Sequence, residues 1–89
     1  MTEEEWIKQL QREGYSDLRI VKIEPGDDPE HSHPLYTINV ILDGELVIID
    51  QNGSKTYRAG DRVETPAGSI HRAKNGPKVG KMIVGVKKE

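Results

Sequence analysis

Leu35-Tyr36-Thr37-Ile38-Asn39-Val40-Ile41-Leu42-Asp43-Gly44-Glu45-Leu46-Val47-Ile48-Ile49-Asp50 is the stretch on which the fold turns. It is rich in β-branched residues, and Asp43-Gly44 divides it into two runs of strand length. An Asp-Gly pair between two such runs predicts a hairpin, with residues 35–42 as one strand and 45–50 as its partner. Downstream, Asn52-Gly53 is a second signal of the same kind and leads into Lys55-Thr56-Tyr57-Arg58. Ala59-Gly60-Asp61, Pro66-Ala67-Gly68 and Gly76-Pro77 punctuate the rest into short runs at 62–65, around His71 and at 79–86. Upstream, residues 18–23 read as another strand. Pro25-Gly26-Asp27-Asp28-Pro29 carries two prolines and is expected to be a loop outside any sheet. About eight short strands with a turn signal every 8–10 residues predict an all-β sandwich or barrel over residues 18–86.

One segment has a different period. Thr2-Glu3-Glu4-Glu5 reads as a capping box, and Trp6, Ile7 and Leu10 follow at helical spacing. Gly14 is the expected C-terminal stop. This predicts one helix over residues 3–13, with Trp6 as a packing anchor.

The chain has 89 residues, which is the length of one domain, expected to span 1–89. Apolar residues make up only 34%, with one Trp and no Phe, so the core is thin and built from Val, Ile and Leu. Domains this small often draw stability from a metal or a partner subunit. There is no Cys, which excludes disulfides, thiolate ligands and a Cys nucleophile. Thirteen basic residues stand against 15 acidic ones, with no basic stripe interleaved with aromatics, which argues against nucleic-acid binding. The acidic start, Met1 to Glu5, has no apolar run behind it, and no run approaches membrane-spanning length. A cytoplasmic protein without a membrane segment is the expectation. Unpaired sheet edges and the thin core predict a homodimer.

Chemistry is concentrated in the three histidines. His31 and His33 lie one residue apart, and Pro34 biases His33 toward extended geometry. In a strand, residues i and i+2 share a face, so the pair would present two imidazoles together. His71 follows some forty residues later, just after the Pro66-Ala67-Gly68 turn, and a hairpin-rich barrel can bring it alongside. Each histidine alone reads equally well as an ordinary surface or turn residue.

Taken together, these residues resemble the cupin family. Gly60, five residues, Pro66-Ala67-Gly68, two residues, His71, three residues and Asn75 match the second cupin motif at every position. Gly26, His31, His33 and Gly44 answer to the first motif, with one residue fewer between Gly26 and His31. The resemblance runs from about Ile20 to Val86. It implies a double-stranded β-helix, a jelly-roll barrel with a metal site inside, and His31, His33 and His71 as metal ligands. Thr37 stands where the family usually has a glutamate ligand. By strand parity residues 31, 33, 35 and 37 share a face, so Thr37 is expected to point at the site without acting as a ligand. The resemblance therefore implies a three-histidine variant.

Three neutral imidazoles leave the charge of a divalent ion uncompensated and its remaining positions open. Such a donor set suits Zn, Cu, Ni or Fe(II) over Mg or Ca, and it favours a small anionic or chelating ligand. Glu30 and Glu64 are the candidates for fixing the histidine rings from behind. Glu64 and Tyr57 are the candidates for a general base, and no catalytic residue is assigned. Tyr36 is expected to face away from the histidines, while Leu35, Ile41 and Val63 are expected to line the core or cavity. Three functions remain open. One is a metal-dependent, dioxygenase-like enzyme, the second a non-catalytic sensor or carrier of a small molecule, and the third a metal-free assembly unit.

Overall fold

The computed structural model describes residues 1–88. A single helix, α1 (Glu3–Arg12), precedes eight strands: β1 (Ser16–Ile23), β2 (Gly26–His31), β3 (Tyr36–Asp43), β4 (Glu45–Asp50), β5 (Gly53–Arg58), β6 (Arg62–Thr65), β7 (His71–Asn75) and β8 (Gly80–Lys87). They form two four-stranded antiparallel sheets, ordered β1-β8-β3-β6 and β2-β7-β4-β5. This is the all-β architecture that the turn spacing predicts, in the jelly-roll form that the cupin resemblance implies.

The capping box forms as expected. The Thr2 hydroxyl accepts from the Glu5 amide at 3.1 Å, and the Glu5 carboxylate accepts from the Thr2 amide at 2.7 Å. The helix ends one residue earlier than its sequence suggests, at Arg12. Gly14, at φ +98°, then reverses the chain into β1. Trp6, Ile7 and the fully buried Leu10 pack with Tyr15, Ile38, Val40 and Ile83 on the outer face of the first sheet. A second core lies between the sheets and is built from Ile23, Ile41, Leu46, Val63 and Ala73. β3 serves both cores. Its alternation sends Ile38 and Val40 toward the helix and Ile41 toward the other sheet.

Two sequence expectations fail. Asp43-Gly44 does not close a hairpin, because β3 pairs with β6 and β8 while β4 pairs with β5 and β7. The dipeptide is instead a corner where the chain leaves one sheet for the other. Gly44, at φ +86°, packs there against Gly80, and a Cβ added to Gly44 would lie 2.9 Å from the Gly80 Cα. A side chain on either residue would push the two sheets apart at this corner. Asn52-Gly53, by contrast, does close the β4–β5 hairpin.

The Pro25–Pro29 stretch is likewise not all loop. β2 begins at Gly26 and contains Pro29. It is an edge strand, and its register on β7 slips between Asp28 and His31, so the missing N–H of Pro29 falls at an irregularity where no ladder bond is lost.

Candidate metal centre

The two histidine segments reach the site by different routes. His31 ends β2 and is the direct register partner of His71, the first residue of β7. Partners in a ladder project from the same face, so both rings enter the space between the sheets. His33 lies beyond the end of β2, in the connection to β3. The strand-parity expectation for residues 31, 33, 35 and 37 therefore does not describe the backbone, because the chain changes sheets between His31 and Tyr36. His33 is held by the second motif instead. The Gly68 amide, in the Pro66-Ala67-Gly68 turn, donates to the His33 carbonyl at 2.9 Å. The turn thus ties the loop of one motif to that of the other.

The three rings form one cluster. Ring centroids are 4.4 Å apart for His31–His71, 4.9 Å for His31–His33 and 5.2 Å for His33–His71. One nitrogen from each lies within 4.8 Å of the others. His31 Nδ1 is 2.6 Å from the Pro29 carbonyl oxygen, and His71 Nδ1 is 3.1 Å from that of Ser69. A carbonyl only accepts, so Nδ1 is the protonated nitrogen in both rings and Nε2 carries the free lone pair. Burial pushes the His33 imidazole below its usual 6.5, and the neighbouring His31 and His71 push it the same way, which favours its neutral form. Two nitrogens bound at about 2.1 Å to one tetrahedral ion lie about 3.4 Å apart. Small ring rotations would close this cluster onto such an ion, so the donor set fits a divalent transition metal.

The partners that fix the His31 and His71 rings are backbone carbonyls two residues upstream of each, not the expected carboxylates. Glu64 lies on the outer face of its sheet, bonded to Tyr36 at 3.1 Å and to Arg62 at 2.9 Å. Glu30 borders a neighbouring hollow with Asp50 and Arg72, which His71 also lines, and among the described residues it bonds to no histidine ring. Neither could be told apart from sequence, since a backbone acceptor leaves no residue signature. Glu64 is for the same reason no general base for this site. Tyr57 packs on the inter-sheet core under the Lys55 ammonium, and neither borders the histidine cavity.

The cluster opens into a cavity of about 400 Å³ between the sheets. Thr37 lines it and is 6% exposed, as expected for a residue aimed inward. Its hydroxyl donates to the Leu35 carbonyl at 3.1 Å. Thr65, its register partner on β6, lines the same wall, and among the described residues its hydroxyl forms no hydrogen bond. Tyr36 faces the helix, as its parity requires, and Ile41 and Val63 belong to the inter-sheet core. Asn39, Asn75 and Asp28 are among the polar lining residues that the sequence reading did not single out as site residues. Asn39 donates from Nδ2 to the Met82 sulfur at 3.4 Å, and Asn75 donates from Nδ2 to the Asp28 carboxylate at 3.2 Å. Asn39 shares the inward parity of Thr37 and Ile41, which was a usable signal. Asp28 was hidden in the stretch read as loop, and Asn75 was assigned only a loop-holding role.

Among the described residues, no helix is long and apolar enough to cross a membrane. No curated protein matches the sequence. Solved structures do. A cupin-2 domain protein from Shewanella frigidimarina aligns at TM-score 0.70 and 21% identity, over 80% of this chain and 69% of that one. A protein of unknown function from Rhizobium leguminosarum aligns at TM-score 0.74 and 14% identity, over 81% and 69%. A predicted oxalate decarboxylase from Thermotoga maritima aligns at TM-score 0.70 and 25% identity, over 92% and 74%. The cupin domain matches residues 19–84 of the sequence. With that match, this fold and the three-histidine cluster inside it, the chain belongs to the cupin family.

Proposed function

We propose that His31, His33 and His71 hold one divalent transition metal ion through Nε2, and that the protein binds a small anionic or chelating ligand at the open positions of that centre. The observation that carries this is the convergence of three imidazoles, two with Nδ1 committed to a backbone carbonyl, at the end of a cavity between the sheets. A bound ion would supply Lewis acidity and lower the pKa of a coordinated water toward neutrality. The imidazoles hold the donor geometry, Thr37 and Thr65 present hydroxyls to whatever sits beside it, and Met82 and Val84 help to line the cavity. The donor chemistry suits Zn, Cu, Ni or Fe(II).

Elemental analysis of protein purified without a histidine tag tests the reading. A transition metal near one per chain is expected, and its loss in the His31→Ala, His33→Ala double variant places it at this cluster. Metal-free protein that takes up none of these ions refutes it.

A dioxygenase-like activity is the catalytic form of the proposal. The open coordination positions and the chelate-sized cavity support it, and the Thermotoga relative described as a predicted oxalate decarboxylase is an enzyme in its description. Oxygen uptake by the Fe(II)- or Cu(II)-loaded protein with small chelating substrates is its test. The alternative is a sensor or carrier, and it is favoured by the placement of the two candidate general bases, since neither Glu64 nor Tyr57 reaches the cluster. A homodimer belongs to the same proposal. The helix covers one sheet face in cis, which leaves the strand edges β1, β2, β5 and β6 for a second copy. Light scattering measures it.

A further inference from the structure

The two ends of the histidine cavity carry opposite chemistry. At one end stand the three imidazoles and the hydroxyls of Thr37 and Thr65. At the other stand carboxylates. Asp28 pairs in register with Ala73, which is buried between the sheets, so the Asp28 side chain leaves β2 on the cavity side. Glu24, at the β1–β2 corner, lines the cavity too. Lys22 borders it as well, but its side chain belongs to the outer face. It alternates with the buried Ile23 and pairs with Lys81, whose ammonium reaches Glu3 on the helix at 2.7 Å. Among the described residues, the Asp28 carboxylate forms no ion pair.

Asn75 sharpens the contrast. Its Nδ2 donates to Asp28 Oδ2 at 3.2 Å, and this fixes the orientation of the amide, because the flipped amide would set oxygen against oxygen. Its Oδ1 is then buried without a hydrogen-bond partner. The lining at this end therefore holds carboxylates and an unused amide acceptor, and the Asn75 amide that donates there is already bonded to Asp28. Ala73 lies two residues along β7 from His71, so Asp28 stands one side-chain row, about 7 Å, from the histidine row.

We propose that the ligand of this cavity is a small ammonium carboxylate, a compact amino acid, with its carboxylate at the histidine end and its ammonium at Asp28 and Asn75. The proposal rests on the metal-binding reading above. A metal held by neutral ligands attracts the carboxylate, and the Thr65 hydroxyl, on the same wall, is placed to donate to it. Asp28 accepts from the ammonium and repels a second carboxylate, so a dicarboxylate of equal length is rejected. A spacing of about 7 Å between rows matches a chain of two or three methylenes between the two charged groups.

Cobalt(II)-loaded protein tests this, because its visible absorption reports metal occupancy and ligand binding separately. The probes are 4-aminobutyrate, pentanoate and glutarate, which differ only in an ammonium, a methyl or a carboxylate at the far end. The expected result is that 4-aminobutyrate perturbs the spectrum at a concentration about 10–100-fold lower than either of the others, the scale of a charge-assisted hydrogen bond. Asp28→Asn, which keeps an acceptor for Asn75, is expected to leave the cobalt spectrum of the ligand-free protein unchanged and to abolish this preference. Equal binding of the three probes, or a preference that survives Asp28→Asn, overturns the proposal while leaving the metal site standing. Absence of any cobalt spectrum overturns the metal reading and this proposal with it.

Discussion

His31 and His71 are direct partners across the β2–β7 ladder, with ring centroids 4.4 Å apart. Two residues forty positions apart in sequence are thereby fixed to one another by backbone hydrogen bonding. His33 joins them through the Gly68 amide that holds its carbonyl. Metal affinity and local fold should consequently be coupled at this end of the barrel, since an ion bridging the three rings also pins the β2 edge strand and its loop.

Zinc or nickel should raise the melting temperature. An ion at a hundredfold excess over its dissociation constant contributes about 2.7 kcal/mol, which corresponds to a shift on the order of 10–20 °C in a domain of this size. His71→Ala should remove most of that shift, and a chelator should reverse it in the wild type. Differential scanning fluorimetry with and without metal reads both. A shift of equal size in His71→Ala would place the ion elsewhere.

Thr37→Glu should restore a carboxylate to the site. Thr37 is 6% exposed, lines the cavity and stands opposite Thr65. A fourth, anionic donor should tighten zinc binding by about tenfold or more and weaken the binding of added anions such as azide, because the ion's charge is then partly compensated from within. Competition against a zinc-responsive dye measures the first effect, and titration of the cobalt form with azide measures the second. Unchanged affinities for both would mean that position 37 does not face the ion.

Acid should loosen the junction between the helix and β6. Glu13 accepts two bonds from Arg62, at 2.6 and 2.9 Å, and their side chains are only 27% and 29% exposed. Bonding to Arg62, and then to Gln9, holds the Glu13 carboxyl down at about 2 from its ordinary 4.5. The folded-state value lies below the unfolded one, so the pair stabilises above about pH 4.5 and that stability is lost as pH falls toward 2. With partial solvent screening the loss is about 1–2 kcal/mol. Urea unfolding midpoints between pH 6 and pH 2.5 should fall less steeply in Arg62→Met than in the wild type. Parallel slopes would mean that the pair contributes nothing.

Leu10→Ala should detach the helix from the sheet. Leu10 is fully buried against Tyr15, Ile38, Val40 and Ile83. Truncating a buried Leu costs about 2–5 kcal/mol, a large part of the stability of a small domain. Because the helix covers the outer face of the sheet and the histidines lie beyond the inner face, the folded variant should keep its metal affinity. Calorimetric unfolding and a metal titration on the same sample separate the two effects.

The three histidines, the inward aim of Thr37, the outward aim of Tyr36 and the helix cap were all legible in the chain. The helix cap follows from capping rules and the opposed aims of Thr37 and Tyr36 from alternation along β3, although the parity that joined them to His31 and His33 does not hold across the change of sheet. The Asp43-Gly44 corner was misread because an Asp-Gly turn reverses the chain equally well within a sheet or between two sheets. Only the approach of Gly80, which packs against Gly44, distinguishes the cases. β2 was missed because Pro29 normally excludes a strand, and its tolerance depends on an edge position and a register slip that are set by β7.

What the sequence by itself determined, then, is most of the strands, the three histidines and the absence of a carboxylate at position 37, since each is a property of residue types at short spacing. What only the tertiary structure decided is how the donors meet and what lies opposite them. The pairing of His31 with His71, the Pro29 and Ser69 carbonyls behind the rings, and the Asp28–Asn75 pair in the cavity all depend on register between distant strands. Register is set by how the two sheets bury their inner faces together, and no local stretch of the chain encodes that by itself.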